Sequence, residues 1–247
     1  MQGSGAGHKK TAKIAGTDDR QKDLLRAKYN VETVVLLPRE QKKNQEKVLK
    51  ICEVEMRYYQ IILLKNGKEA LLRNGDAADG LLVYENFNAT HAETDYLLSY
   101  PDENSFDPEQ EAQFLKNKTR SSDEIELIAI IDGKVVGTAG IEAVGRKDKV
   151  RHRAEFGISV LKEYWGLGLG KALTKACIQC AKEAGYIQLE LNVVAENYAA
   201  ISLYQSLGFV EFGRNPRGFR SRTSGYQELI YMLLELQTVS MVCDRCS

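Results

Sequence analysis

Histidine is scarce in this chain of 247 residues, with only His8, His91 and His152. None stands in a metal-ligand spacing or beside a Ser/Asp set for nucleophilic catalysis, so the common histidine chemistries have no anchor. Net charge is absent too, with 34 basic residues against 34 acidic ones. The molecule as a whole therefore exerts no pull on nucleic acid or a membrane surface. No apolar run approaches the roughly 20 residues of a membrane span. The start, Met1-Gln-Gly-Ser-Gly-Ala-Gly7, lacks the apolar core of a signal peptide and reads as a flexible tail. Five cysteines are an odd number in a chain too large to need disulfides. They read as reduced thiols of a cytoplasmic protein. Cys177/Cys180 and Cys243/Cys246 are two Cys-x-x-Cys pairs. The first falls among Ala172, Leu173, Ala176 and Ala181, where cysteine is a small core residue. The second falls in a terminal tail, and no metal is expected.

What the chain does have is Val160-Leu-Lys-Glu-Tyr-Trp-Gly-Leu-Gly-Leu-Gly-Lys-Ala-Leu173. Gly166, Gly168 and Gly170 alternate between a β-type run, Ala154 to Val160, and a helical run, Lys171 to Ala184. A strand that turns through glycines into a helix presents free N–H groups at a positive helix end, an anion site whose usual guest is phosphate. A Cβ in the turn would hold the phosphate off the backbone. The spacing is neither a Walker A loop nor the G-x-G-x-x-G fingerprint. About 25 residues on, Leu189 to Phe209 reads as a strand (Ile187 to Val193), an Asn197 cap, a short helix to Leu207 and a Gly208 stop.

Together the two runs resemble the GNAT superfamily of acyl-CoA N-acyltransferases. Val160, the three glycines, Asn197, Ala200, Leu203, Tyr204, Gly208 and Phe209 carry the likeness. It covers Tyr59 to Leu236. One departure is Trp165, where the family often has Arg or Gln. The resemblance implies an α/β fold, a twisted mixed sheet flanked by helices, with strands Ala154–Val160 and Ile187–Val193 splayed at their ends. It implies acetyl-CoA as acyl donor, its pantetheine arm in that gap. Ser159, Val160, Trp165, Gly166, Leu167, Gly168, Leu169, Gly170, Lys171, Asn197, Ala200 and Tyr204 would hold the cofactor. The Val160 amide would polarise the thioester carbonyl. Tyr204 would protonate the leaving thiolate or stabilise it by a hydrogen bond. Glu190 and Glu155, acidic residues in apolar strands beside the expected cleft, are candidate bases, with a water chain as the rival. No covalent nucleophile is evident, so the expected reaction is direct attack by a primary amine, of a small metabolite or a protein, in a ternary complex. A catalytically silent coenzyme A sensor is the alternative reading.

Hairpin signals stand at Asn66-Gly67 and Asp132-Gly133, and helix caps at Asp76 and Asp107-Pro108. Arg214, Arg217, Arg220 and Arg222 crowd what reads as a loop before the last strand. An ordinary basic exposed loop is the simpler reading, and recognition of a carboxylate or phosphate on the acceptor is the other. Tyr96, Tyr100 and Asp102 lie where the family usually forms the other wall of the acceptor site. Residues 1–58 form a basic extension, 59–237 the acyltransferase-like domain and 238–247 a tail. Up to Gln60 the chain has 13 basic and 8 acidic residues. The extension holds a strand-like run, Val31 to Leu37, and a charged helical stretch, Arg39 to Tyr58. Its partial stripe of Val48, Ile51 and Met56 offers a face to the sheet edge or to the second subunit of a homodimer. Lys28 to Lys43 has a faint likeness to ribbon-helix-helix DNA-binding modules. A solvated arm is the simpler reading, and nucleic acid is not an expected partner. A further alternative is an arm that directs the enzyme to a macromolecule.

Overall fold

The computed structural model describes residues 55–236 and, before them, the backbone of two short strands. These strands, β1 (Thr11–Lys13) and β2 (Thr33–Val35), pair in parallel within a first unit, Met1–Val54. β2 falls inside the Val31–Leu37 run. The rest of the Lys28–Lys43 likeness, most of the Arg39–Tyr58 stretch and the Cys243/Cys246 pair lie outside the described residues. Glu55 to Tyr58 carries no helix.

The second unit begins at Glu55. Its strands are β3 (Tyr59–Leu63), β4 (Glu69–Asn74), β5 (Ile125–Ile131), β6 (Lys134–Ala143), β7 (Arg153–Val160), β8 (Gln188–Val194), β9 (Val210–Ser221) and β10 (Gly225–Glu235). They form one sheet in the order β3-β4-β5-β6-β7-β8-β10-β9. Every neighbouring pair is antiparallel except β7 and β8. Helices α1 (Gly80–Glu93) and α2 (Pro108–Arg120) cover one face, and α3 (Leu169–Glu183) and α4 (Tyr198–Ser206) the other. This is the mixed sheet flanked by helices that the motifs imply.

Local chemistry accounts for the elements. Asp132 and Gly133 both take positive φ, 51° and 78°, as the tight β5–β6 turn demands. Asp107 caps α2 through the Gln110 N–H at 2.8 Å, with Pro108 at the first helical position. β5 is buried on both faces because helices pack on each. The larger core joins Leu173, Cys177 and Cys180 of α3 to Phe156, Leu189 and Leu191 of the sheet. The smaller joins Val83, Leu115, Ile128 and Val135. A Cβ at Gly80 would stand 2.7 Å from Ala112 Cβ and from Pro108 O, so glycine sets how closely α1 starts against α2.

The unit's first residues are built into it. Met56 is buried in the larger core, its N–H bonds Ser121 O at 2.9 Å, and the Tyr58 N–H bonds Asn74 Oδ1 at 2.7 Å. A truncation that isolates the sheet should therefore start at Glu55, before Met56 and Tyr58.

Arg73 ties β4 to the start of α1. Its two guanidinium nitrogens meet both Asp79 oxygens at 2.7 Å, and Asp79 is buried. Burial alone would raise the Asp79 carboxyl, but the Arg73 fork and the Asp76 N–H hold it below its usual value. Asp79→Asn should lower the unfolding free energy at pH 7 by about 3 kcal/mol, measured by urea titration. The folded pKa lies below the unfolded one. The contribution is thus complete above the ordinary carboxylate range, about 3.9, and is lost as pH falls through the folded value. The gap between variant and parent should close in acid.

Candidate active site

The one parallel pairing in the large sheet is also its shortest. β7 and β8 pair only from Arg153↔Gln188 to Glu155↔Glu190. Beyond that point β7 runs on to Val160 and β8 to Val194 with no pairing between them. Each stays fixed on its other side, β7 by β6 and β8 by β10. The Leu161 N–H donates to Val136 O at 2.9 Å. Backbone groups alternate along an antiparallel ladder, so Ile158 and Val160 turn their N–H and C=O groups the other way, into the gap. The Val160 carbonyl accepts the Trp165 indole N–H at 2.7 Å. The Ile158 and Val160 amides face the gap as donors.

The glycine turn lies at the open end of this gap. Gly166 and Gly168 have φ of 73° and 98°, and a Cβ at either would meet nothing within 4 Å. α3 starts at Leu169 without a side-chain cap, and its first internal bond runs from Ala172 N–H to Gly168 O at 3.1 Å. The Leu169, Gly170 and Lys171 amides are among those a helix start leaves unsatisfied. The opposite side of the turn is tied down. Lys65, in the β3–β4 turn, donates its backbone N–H to Leu167 O at 3.1 Å and its ammonium to Gly166 O at 3.0 Å. An open cradle of amides, with its carbonyls held away, fits a diphosphate. Nothing local in the sequence marks Lys65, which lies 101 residues from Gly166.

The predicted catalytic side chains fall at different places along the gap. Tyr204, on α4, is buried edge-on to Phe156 at 6.2 Å and beside Phe209 at 5.8 Å. Burial pushes its phenol up to about 12, so it is a donor across the physiological range. Glu190 and Glu155 face each other in the last β7–β8 pair, at the closed end. Both Glu190 oxygens are taken by Arg153, one of them at 2.7 Å, and Gln188 adds a hydrogen bond at 2.9 Å. Glu155 is exposed and has no ion pair among the described residues. Asn197 caps α4 through the Ala200 N–H at 3.2 Å. Ser159 points to the α1/α2 face, its hydroxyl 3.4 Å from that of Thr138.

Comparison with known proteins shows the family. A family model described as the acetyltransferase (GNAT) family matches residues 89–209. A solved acetyltransferase of the GNAT family from Streptococcus pneumoniae is 30% identical. The match covers 67% of this chain and 99% of that one, with a TM-score of 0.64. The chain belongs to the GNAT family. The fold is also shared with a GNAT superfamily phosphinothricin acetyltransferase from Sinorhizobium meliloti, solved in complex with acetyl-CoA. That match is 22% identical, covers 68% of this chain and 88% of that one, and has a TM-score of 0.59. Human N-acetyltransferase 8B is 36% identical over 89 residues, 36% of this chain. The matched stretch spans 39% of that relative, and 49% and 63% of two other curated relatives. Among the described residues of this GNAT chain, no helix is long and apolar enough to cross a membrane.

A cleft of about 480 Å³ opens at the mouth of the gap, lined by Glu93, Asp95, Lys162, Trp165, Glu196 and Tyr226 among others. Here one expectation for this GNAT chain is corrected. Arg214, Arg217 and Arg220 stand in strand β9, not in a loop, because β9 continues to Ser221. Arg214 is paired with Glu211 and Glu228, and Arg222 with Asp102 and Glu103. Arg217 and Arg220 lie over the Tyr226 ring, at 5.2 and 5.9 Å. Arg222 lies over Tyr100 at 4.0 Å. The residue that organises this wall is Asp95, which the sequence does not single out. Its carboxylate accepts hydroxyl bonds from Ser221, from Tyr100 at 2.8 Å and from Ser224 at 3.2 Å.

The Ser221 bond is the largest of the effects that hold the Asp95 carboxyl below its usual value. Asp95→Ala should speed hydrogen exchange at the Thr223 and Ser224 amides by about tenfold or more. In the parent protein this protection should be full above the usual Asp range, about 3.9, and should fall as pH drops through the depressed value.

Proposed function

We propose that this chain is an N-acetyltransferase that moves the acetyl group of acetyl-CoA to a primary amine by direct attack in a ternary complex. The observation that carries this reading is the β7–β8 gap, whose free strand edges lead to an uncapped helix start. Acetyl-CoA, when bound, supplies the activated acyl group. The Gly166 to Lys171 amides hold its diphosphate, whereas the expected Trp165 amide is already taken by Lys162 O at 3.1 Å. The strand edges, with Asn197 and Ala200, take the pantetheine arm. The inward amides of Val160 and Ile158 offer hydrogen bonds to the thioester carbonyl, which favour the charge that develops as the amine nitrogen attacks. Tyr204 donates to the sulfur as the carbon–sulfur bond breaks. Glu155, exposed and unpaired, is the better placed of the two glutamates to take the amine proton, directly or through water. Glu190 is committed to Arg153 and serves the closed end of the gap.

Acetyl-CoA at about 100 times its dissociation constant should stabilise the protein by roughly 2.7 kcal/mol, read as a rise in thermal midpoint. Gly168→Ala places a Cβ in the cradle at a φ of 98°. It should cost about 1 kcal/mol of intrinsic stability and erase most of the acetyl-CoA effect. An unchanged midpoint of the parent protein at saturating acetyl-CoA would sink this reading.

The roles of the side chains separate in kinetics. Tyr204→Phe should lower turnover by about tenfold or more with the acetyl-CoA affinity unchanged, as expected for an interaction made in the transition state. Glu155→Gln should depress kcat most at low pH, where the amine most requires a base. Glu190→Gln should act on stability instead, because it breaks a buried pair. Thiol release from acetyl-CoA across a panel of amines measures both. Binding without thiol release for any amine would assign the protein to the silent sensors.

A further inference from the structure

A second cavity, of about 330 Å³, lies between the sheet and the pair α1 and α2. Its floor carries Glu126 of β5, Thr138 of β6 and Ser159 of β7, and Phe87, Phe106 and Phe114 form its apolar walls. The floor beside Glu126 is bare. Glu126 pairs with Gly140, and Gly140 with Gly157. A Cβ at Gly140 would collide with a Glu126 carboxylate oxygen, whereas one at Gly157 would meet nothing within 4 Å. The strands have thus given up side chains where the carboxyl lies and next to it. Ser159 brings the cavity to the residue before Val160, whose amide faces the gap.

Nothing in the proposed acyl transfer uses Glu126. Its carboxyl is enclosed by protein, although the side chain keeps some contact with solvent. Such a group is costly without a cation. Lys118, on α2, is already held by Glu124 at 3.0 Å and Glu142 at 2.7 Å. Glu111 of α2 also lines the cavity and is buried, with no ion pair among the described residues. The loop contributes Glu103, which pairs with Arg222, and α1 contributes only Val83 and Phe87. The cavity therefore has carboxyls in excess, apolar walls and one end beside the gap.

We infer that this cavity holds the tail of the acceptor, and that the acceptor is an amine carrying a second cationic group, which Glu126 binds. The inference rests on the acetyl-transfer reading and names its substrate class. The reactive nitrogen lies at the Ser159 end, the second ammonium at Glu126, and the alkyl chain along the phenylalanines. Burial raises the empty Glu126 carboxyl to about 8, with Glu111 and Glu142 adding to the rise and Lys118 and Thr138 opposing it. A bound ammonium reverses that balance, so binding near pH 7 expels a proton from Glu126. Affinity climbs with pH up to about 8.

Putrescine and butylamine separate the idea from its rivals, since they differ by one ammonium. Calorimetry on the acetyl-CoA-free protein at pH 7, in two buffers of different ionisation enthalpy, should show putrescine binding with release of a proton. Butylamine should bind at least about tenfold more weakly and release none. Glu126→Gln should remove the putrescine advantage and the proton release. In turnover it should raise KM for putrescine and leave that for butylamine. Gly157→Val, which fills the open floor, should weaken putrescine while the acetyl-CoA thermal shift persists. Equal binding of the two amines by the parent protein, or an unchanged preference in Glu126→Gln, overturns the inference. Either result can occur with the acetyl-CoA shift intact, which leaves the acetyl-transfer reading standing. Loss of that shift overturns the reading itself, while the amine calorimetry still decides the cavity.

Discussion

Everything at the site depends on one interruption of backbone pairing. A sheet of eight strands normally satisfies its inner N–H and C=O groups by neighbour on neighbour. Here β7 and β8 stop pairing after Glu155 and Glu190. The break sits in the middle of the sheet, so the exposed edges are strand edges inside the molecule. An open edge is a template for another extended chain, and a pantetheine arm, with its own amides, is such a chain. The break is tolerated because β6 and β10 hold the outer sides of the two strands, and because the Trp165 indole takes the Val160 carbonyl. Trp165, which departs from the usual Arg or Gln, thus has a structural partner on the backbone of the gap.

Much of this was legible in the sequence, and the reason is local. Gly166 and Gly168 announce a turn because only glycine takes φ of 73° and 98° without strain. Asn197 announces a cap and Tyr204 a buried helix face within a few residues of one another. What could not be read was set by partners far away in the chain. Arg153 and Glu190 are 37 residues apart, and Asp95 and Ser221 are 126. The same holds for Lys65 and for the glycine floor under Glu126. The arginines of β9 misled for a related reason: charged residues in a short stretch look like a loop until Glu228 and Tyr226 are seen across the hairpin. The Glu190 pairing likewise distinguishes two glutamates that the sequence leaves equivalent.

The carboxylates sort by what surrounds them rather than by where they fall in the chain. Asp79 and Asp95 are drawn down by donors and tie elements together. Glu190 is spent on Arg153. Glu126 and Glu111 are pushed up by burial and have no ion pair among the described residues. Asp79 anchors the start of α1 to β4, and Asp95 keeps the two rims of the cleft in register by joining the end of α1 to the β9–β10 turn. Those of the second kind are carboxyls held toward the protonated form by burial in a cavity that reaches the gap.

Lys65 fixes the far side of the glycine turn with two hydrogen bonds, so the shape of the amide side is set before any anion arrives. No loop has to be ordered on encounter, and the entropy of that ordering is not charged against affinity. Association at this turn is then paced by diffusion and by the ammonium of Lys65 rather than by a conformational search. Differences in tightness among anionic guests should lie in how long each stays, not in how fast it comes.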